Sequence, residues 1–402
     1  MLQIALYNNL PSGGAKRAVY EWTRRLATAH SIDAFTLSTA DHGFCDIRPF
    51  VGQYRVFEFS PRRLYTSPLG RLNQWLRWRD LGELTQINRC IAQEIDAGGY
   101  DVVFAHACSY TFIPTVLQFA QTPSVYYLHE PFGRTFTWHF QRPYLERNRR
   151  REALDYLDPL LHLYRRRLAR LQSASVRRTT RLLSNSEYTR QCIQREFNVD
   201  APVCQLGVNT DSFRPLPGVS KENCVISVGE MTPRKGFDFL VESLGLIPEE
   251  QRPELRLACN YQNPDERRYI EELAASSNVR LTVLTHLNTE QLAIEYNKAR
   301  LLVYSPVREP FGLVPLEAMA CGTPVVGIRE GGVCETVRHG ETGLLIERDP
   351  RQFAEAVTSL MADPVRRTQY SRQGQTYVEQ HWQWDHSTRV LEQHLLTVAE
   401  SR

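Results

Sequence analysis

The sequence lacks the features that mark several large classes of protein. It contains no uninterrupted apolar run of about 18 residues, which a membrane-spanning helix requires. Its first residues, MLQIALYNNL, lack the basic and then apolar stretches of a secretory signal. The nine cysteines form no C-x-x-C pair and are odd in number, so neither a disulfide framework nor a zinc site is indicated. We therefore expect a cytoplasmic chain with reduced thiols.

An excess of one charge is also missing, because the net charge of +3 is too small to predict nucleic-acid binding. The chain contains no D-x-D sequence and nothing else that suggests a divalent metal or a cofactor. Arginine is nevertheless concentrated between Arg142 and Arg181, where twelve arginines accompany four acidic residues. The 402 residues exceed the size at which single cores stop growing, so we expect two domains.

Short apolar stretches alternate with helical patterns along the chain, which predicts an α/β fold with parallel sheets covered on both faces. One series begins with LQIALY at 2–7, and a second begins with VISVG at 225–229. Within the first series, the pattern also predicts a helix near 110–120 and a helical region over 139–178. A polar segment rich in Gly, Pro, Asn and Ser separates the two series. We predict a first domain, a linker, a second domain and a last helix that packs back on the first domain, at 1–205, 206–222, 223–380 and 381–402.

The most informative stretch is SPVREPFGLVPLEAMACGTPVV, from Ser305 to Val326. An apolar strand ends at Ser305, a loop containing glycine follows, and Pro315 suits the first position of a helix. Such a loop places backbone N–H groups beside the positive end of a helix, where phosphate binds. Glu309 and Glu317 flank it. By pattern alone, an ordinary strand-loop-helix unit with surface glutamates explains the stretch equally well.

The residues EPFGLVPLEAMACGTPVV resemble the E-x7-E signature of retaining glycosyltransferases of family 4. Members of this family adopt the GT-B fold, two doubly wound Rossmann-like domains that face a central cleft. The resemblance implies that Glu309 contacts the hydroxyls of the donor sugar and that Glu317 hydrogen-bonds the ribose. It also implies that backbone N–H groups of three residues face the sugar and the phosphates, namely Phe311, Gly312 and Leu313.

A second segment, GEMTPRKG at 229–236, is similar to the family's G-R-x-x-x-x-K-G turn, whose cations neutralise the leaving diphosphate. Lys235 matches the lysine of that turn. Glu230 replaces the usual arginine, and its carboxylate would repel phosphate. Arg234 is the candidate that compensates for this change, and a solvated basic turn is the alternative interpretation.

The first half of the chain carries weaker similarities to the same family. Gly13 and Gly14 resemble its glycine-rich loop, which approaches the donor phosphates or the acceptor. His129, at the end of the strand VYYLHE, resembles its active-site histidine, although a histidine at a strand end is more often structural. The segments 184–186 (SNS) and 207–213 (GVNTDSF) resemble family segments that we interpret as architectural.

The resemblance implies a metal-independent hexosyltransferase that uses a nucleotide sugar of the GDP-mannose or UDP-glucose type. The acceptor would be a glycan or a lipid-linked molecule in glycolipid or surface polysaccharide synthesis. Another GT-B enzyme acting on nucleotide sugars, such as an epimerase or a sugar-phosphate transferase, is one alternative. A catalytically silent GT-B module that binds a partner is the other.

Two arginine-rich segments bear on the acceptor. The residues of 142–181 interleave arginine with leucine, and those of 62–79 surround Trp75 and Trp78 with arginine. One hypothesis is that these segments lie on an anionic membrane surface and present a lipid-linked acceptor to the cleft. The alternative is a pair of solvated helix faces whose apolar residues point into the core.

Overall fold

The structure, a computed structural model, describes residues 1–65, 69–130, 140–144 and 158–401. The first half of the chain contributes one parallel sheet, whose strands are β1 (Gln3–Asn9), β2 (Ser31–Leu37), β3 (Tyr54–Phe57), β4 (Val102–Cys108), β5 (Ser124–Leu128) and β6 (Arg181–Ser184). The strand order is β3-β2-β1-β4-β5-β6. The accompanying helices are α1 (Gly14–Leu26), α2 (Asn73–Ala97), α3 (Pro159–Arg178) and α4 (Glu187–Phe197).

The second half repeats this plan with strands β7 (Cys224–Val228), β8 (Glu254–Ala258), β9 (Leu281–Leu284), β10 (Leu301–Tyr304), β11 (Val325–Ile328) and β12 (Gly343–Ile346). The strand order is β12-β11-β10-β7-β8-β9. The helices are α5 (Phe237–Gly245), α6 (Pro264–Ser276), α7 (Thr289–Lys298), α8 (Leu313–Ala320), α9 (Val333–Thr336), α10 (Pro350–Ala362), α11 (Pro364–His381) and α12 (Trp384–Glu400).

Both sheets have the strand order of a Rossmann fold, so the predicted doubly wound α/β architecture is confirmed. In each sheet the winding direction reverses between two neighbouring strands: β1 and β4 in the first, β7 and β10 in the second. Loops that leave the carboxyl ends of such a strand pair diverge and leave a crevice between them, which is where open α/β sheets bind ligands.

The last helix, α12, packs against α1 of the first sheet. The indole N–H of Trp22 donates a hydrogen bond to Ser387 Oγ at 2.9 Å, and the Trp22 and Trp384 rings meet edge to face at 5.7 Å. Leu391 and Leu395 continue this buried face of α12 along the helix. The domain limits given above remain a prediction.

The structure corrects three expectations about local structure. The predicted helix near 110–120 is wrong, because the structure has only a short 3-10 helix there, Thr115–Gln118. Pro114 and the positive φ of 63° at Phe112 prevent a continuous α-helix. Helix α8 begins at Leu313, which makes Pro315 its third residue. Residues 140–144 are not helical, and the remainder of the predicted helix before α3 lies outside the described residues. Among the helices described, none is both long and apolar enough to cross a bilayer.

Candidate functional site

The crevices of the two sheets face each other, and the glycine-rich loop of the first sheet contacts the second. Gly13, with φ of 143°, precedes α1, and Gly14 is the first residue of that helix. A β-carbon added at Gly14 would lie 3.2 Å from Leu313 Cδ1, at the start of α8. The structure therefore brings the predicted glycine loop of the first sheet beside the predicted loop of the second.

The loop between Glu309 and Gly312 is fixed by close backbone packing. Gly312 has a φ of 111°, and a β-carbon there would lie 2.8 Å from Thr336 Oγ1. A β-carbon at Gly332 would lie 2.2 Å from the carbonyl oxygen of Pro310, so only glycine fits. The Gly332 amide also donates a hydrogen bond to the Glu309 carbonyl at 2.8 Å. The segment 331–337 (GGVCETV) thus supports this loop.

The start of α8 offers backbone donors toward the crevice. Leu313 and Val314 occupy its first two positions, where amide N–H groups have no acceptor inside the helix. The ring of Phe311 is only 4% exposed and packs against Trp382 at 5.5 Å. Phe311 can therefore contribute only its backbone to a ligand. The positive end of the helix and its first amides, which have no acceptor inside the helix, form an arrangement that suits an anion.

A cation stands beside this loop. Lys235 Nζ lies 3.0 Å from Glu309 Oε2, and both side chains are mostly buried. The lysine chain runs over Gly229, where a β-carbon would lie 3.2 Å from Lys235 Cδ. Burial alone would raise the pKa of the Glu309 carboxyl, but the positive charges of Lys235 and Arg234 outweigh it and lower that pKa. Glu309 is therefore an ionised carboxylate at neutral pH.

Two other charged residues of the turn 229–236 differ in their surroundings. The guanidinium of Arg234 forms an ion pair across the cleft with Glu130, which follows His129 directly. The side chain of Glu230 is exposed at the surface. Arg234 is thus a second cation of this turn, beside Lys235, at the crevice.

Glu317 lies one helical turn inside α8 and is buried. Its carboxylate accepts hydrogen bonds from the guanidinium of Arg17, on α1, and from the hydroxyl of Tyr296 at 3.0 Å. Burial raises the pKa of the Glu317 carboxyl, although Arg17 and Tyr296 act in the opposite direction. The sequence did not predict either partner. The basic pair KR directly after the glycine loop was the available signal for Arg17.

His129 follows β5 directly, and both its ring and its carbonyl form hydrogen bonds. Its Nε2 lies 2.9 Å from Nδ1 of His106, and its carbonyl accepts a hydrogen bond from Asn185 Nδ2 at 2.7 Å. Trp22 stacks on the ring of His106. Burial lowers the pKa of His129 to about 3, so the ring is neutral at physiological pH. It can exchange hydrogen bonds with a hydroxyl but cannot supply a positive charge.

His106 was missed by the sequence interpretation. It lies in β4, next to β5, within VVFAHAC, and burial lowers its pKa well below the ordinary value. Two histidines at the carboxyl ends of adjacent strands were visible in the sequence, but their strand neighbourhood was not. Among the residues described, no group of three or more His, Cys, Asp or Glu side chains is placed to hold a metal ion.

Comparison with known families and proteins identifies this architecture. Residues 12–212 match the model of Glycosyltransferase Family 4, and residues 209–377 match that of Glycosyl transferases group 1. A GDP-mannose-dependent alpha-(1-6)-phosphatidylinositol monomannoside mannosyltransferase of Mycolicibacterium smegmatis is 32% identical over 228 residues, 50% of this chain and 57% of that protein. The chain spans about half the length of the relatives that it matches.

Solved structures agree on the fold over the whole chain. Sucrose-phosphate synthase from Thermosynechococcus elongatus has a TM-score of 0.76 at 21% identity, with 100% of both chains covered. Anabaena HepE in complex with UDP-glucose has a TM-score of 0.74 at 18% identity, covering 99% of this chain and 100% of HepE. The chain therefore belongs to glycosyltransferase family 4 and has the GT-B fold.

Proposed function

We propose that this protein transfers a hexose from a nucleoside-diphosphate sugar to a glycan or lipid-linked acceptor, with retention of anomeric configuration. The observation that carries the proposal is the pairing of Lys235 with Glu309 beside the first amides of α8. A cation and the N–H groups of a first helical turn match a diphosphate, and an adjacent ionised carboxylate matches sugar hydroxyls. The glycine loop at Gly14 and the neutral His129 face this group from the other sheet.

Each part of the donor has a partner in this arrangement. The diphosphate oxygens accept hydrogen bonds from the amides of Leu313 and Val314 and bind the ammonium of Lys235. Glu309 exchanges the lysine for hydroxyls of the hexose. Glu317 accepts hydrogen bonds from the ribose hydroxyls, in place of the guanidinium of Arg17. A buried carboxylate discriminates against ligands without those hydroxyls, because it would otherwise remain unpaired.

The transfer proceeds by a front-face route without a protein nucleophile. The acceptor oxygen forms its bond to the anomeric carbon on the side from which the diphosphate oxygen departs, and that oxygen receives the acceptor's proton. Arg234 and Lys235 stabilise the negative charge that develops on the departing diphosphate, so no divalent metal is required. His129 orients a hydroxyl of the reacting sugar through its neutral ring.

Assays of a nucleotide-sugar panel test this function. We expect GDP-mannose, UDP-glucose or a related donor to release its nucleotide only when an acceptor glycan or glycolipid is added. The mannosyltransferase relative and the HepE complex, as named, support beginning with these two donors. Isomerisation of the donor without an acceptor would instead favour an epimerase. If no donor of the panel binds by calorimetry, the silent partner-binding module becomes the better account.

We also propose that the acceptor is presented at an anionic membrane. Helices α2 and α3 pack together and expose aromatic and basic side chains on one surface, with Trp75 47% and Trp78 37% exposed. The guanidinium carbon of Arg79 lies 4.8 Å from the centre of the Trp75 ring. Arg167 lies 4.6 Å from the Trp78 ring, which joins the two helices. Helix α3 contains no acidic residue, so its charge suits an anionic lipid surface.

Sedimentation with vesicles tests the membrane proposal. We expect the triple replacement of Arg165, Arg166 and Arg170 by glutamine to reduce binding to anionic vesicles roughly 100-fold, since each basic residue near the surface contributes about 1 kcal/mol. The control replaces two arginines of α6, the half-buried Arg267 and the exposed Arg268. Equal binding of the parent to neutral and anionic vesicles would contradict the proposal.

A further inference from the structure

The turn that leads into α4 touches both halves of the proposed site. Ser186 is the N-cap of α4 and is completely buried. Its Oγ accepts a hydrogen bond from the Thr189 amide at 3.0 Å, as an ordinary cap does. The same hydroxyl donates to the carbonyl of Pro310 at 2.5 Å. Pro310 belongs to the loop between Glu309 and Gly312, in the other half of the chain.

The preceding residue holds the other side of the cleft. Asn185 is 3% exposed, and its side-chain amide donates to the carbonyl of His129 at 2.7 Å. Two consecutive residues thus fix the backbone of His129 and the backbone of the loop between Glu309 and Gly312, which we call the donor loop. This dipeptide therefore joins, through two hydrogen bonds, the two groups that flank the reacting atoms.

A carboxylate from the second half also contacts this turn. We call the resulting contact region, formed by 185–188, Pro310 and Glu335, the joint. Glu335 accepts hydrogen bonds from the amides of Glu187 and Tyr188, both at 2.9 Å, at the positive end of α4. Glu335 belongs to α9, whose preceding residue Gly332 packs directly on the Pro310 carbonyl. The first half therefore donates a hydrogen bond to the Pro310 carbonyl, and the second half supplies a carboxylate to the start of α4. Together these contacts restrict the position of the donor loop.

We infer that Asn185 and Ser186 are positioning residues, which set the distance between His129 and the Glu309 loop for transfer. The inference rests on the proposed function. It also revises the interpretation of the segment 184–186 as purely architectural. Enzymatic rates are steep functions of such distances, and a misplacement of about 1 Å costs on the order of 10²-fold. The residues proposed to contact the donor are unchanged when Ser186 is altered, so its effect should fall on kcat.

The test compares Ser186→Ala with Ser186→Thr and with a cap-loss control. We expect Ser186→Ala to lower kcat roughly tenfold while donor affinity changes by less than about threefold. The effect stays below the maximum because Thr189 Oγ1 also approaches the Pro310 carbonyl, at 3.4 Å. Ser186→Thr, which keeps the hydroxyl, should restore the parental kcat. Asn185→Ala should resemble Ser186→Ala, since it frees His129.

Asp349→Ala supplies the control, because Asp349 caps α10 through the Gln352 amide at 2.9 Å and, within the described part of the chain, shares no hydrogen bond with the site. It should lower the melting temperature comparably and leave kcat unchanged. An equal fall in kcat for Asp349→Ala, or a parental kcat for Ser186→Ala, would overturn the inference. Amide hydrogen exchange separates this from a failure of the proposed function. Faster exchange of the Gly332 amide, which donates to the Glu309 carbonyl, in Ser186→Ala alone supports the joint, and unchanged exchange refutes it, whatever reaction the parent catalyses.

Discussion

Replacement of Lys235 by methionine is expected to lower kcat/KM for the donor by about 10²–10³-fold. Methionine keeps the unbranched chain that lies over Gly229 but removes the charge that stands 3.0 Å from Glu309. The diphosphate then leaves with Arg234 as the remaining cation of the turn, and that guanidinium is shared with Glu130. The loss should appear in kcat and in the affinity for the nucleoside diphosphate alone.

A second lysine of the same half provides the control. Lys298 pairs with Glu295 at 2.8 Å, three residues away on α7. Lys298→Met removes a lysine–glutamate pair of the same kind without touching the crevice, so kcat/KM should remain parental. Initial rates against donor concentration, with melting temperatures for both variants, decide the matter. A Lys235→Met enzyme with parental turnover would exclude this lysine from the proposed transfer.

Replacement of Glu309 by glutamine is expected to lower kcat about 10²-fold, since a hydrogen bond to a charged group contributes about 1.5–3 kcal/mol. The lowered pKa of Glu309 keeps its two oxygens ionised and able to accept two hydroxyl hydrogens. Glutamine offers one acceptor oxygen and places an N–H₂ group toward Lys235. The sugar should therefore be held in the wrong orientation, while the phosphates keep their partners.

Binding of the nucleoside diphosphate, which lacks the hexose, distinguishes the role of Glu309 at the sugar from the role of Lys235 at the phosphates. Calorimetry should show nearly equal affinity of parent and Glu309→Gln for the nucleoside diphosphate, in contrast to Lys235→Met. Glu254→Gln is the matched control, because Glu254 is similarly buried and ion-paired, with a lowered carboxyl pKa, at the amino end of β8. If Glu309→Gln weakened the nucleoside diphosphate as strongly as the nucleotide sugar, Glu309 would act on the phosphates and its assignment to the hexose would be wrong.

The sheets were readable from the sequence because the parallel strands are continuous apolar runs, such as VISVG before the lysine turn. The loop between Glu309 and α8 was also readable, since glycine, proline and charge occur there at neighbouring positions. The helix predicted near 110–120 failed because Pro114 and the backbone at Phe112 overrule helical periodicity. Local pattern therefore gives elements and turns where a single segment determines the outcome.

The partners of the site were not readable, because they join distant segments. Arg17 and Glu317 are 300 residues apart, and Ser186 and Pro310 are 124 apart. His106 and His129 meet only because β4 and β5 are neighbours in the sheet. Without the strand order, no spacing in the chain indicates such pairs. The same reason explains why the segment 184–186 seemed architectural when read by itself.

A crystal structure of the protein with a UDP- or GDP-hexose bound would show whether the loop before α8 holds the donor. We expect diphosphate oxygens within hydrogen-bonding distance of the Leu313 and Val314 amides and of Lys235 Nζ. We also expect the hexose against Glu309 and the ribose against Glu317, with Arg17 displaced. A nucleotide found in any other crevice, with the Lys235–Glu309 and Arg17–Glu317 pairs intact, would contradict this placement of the donor.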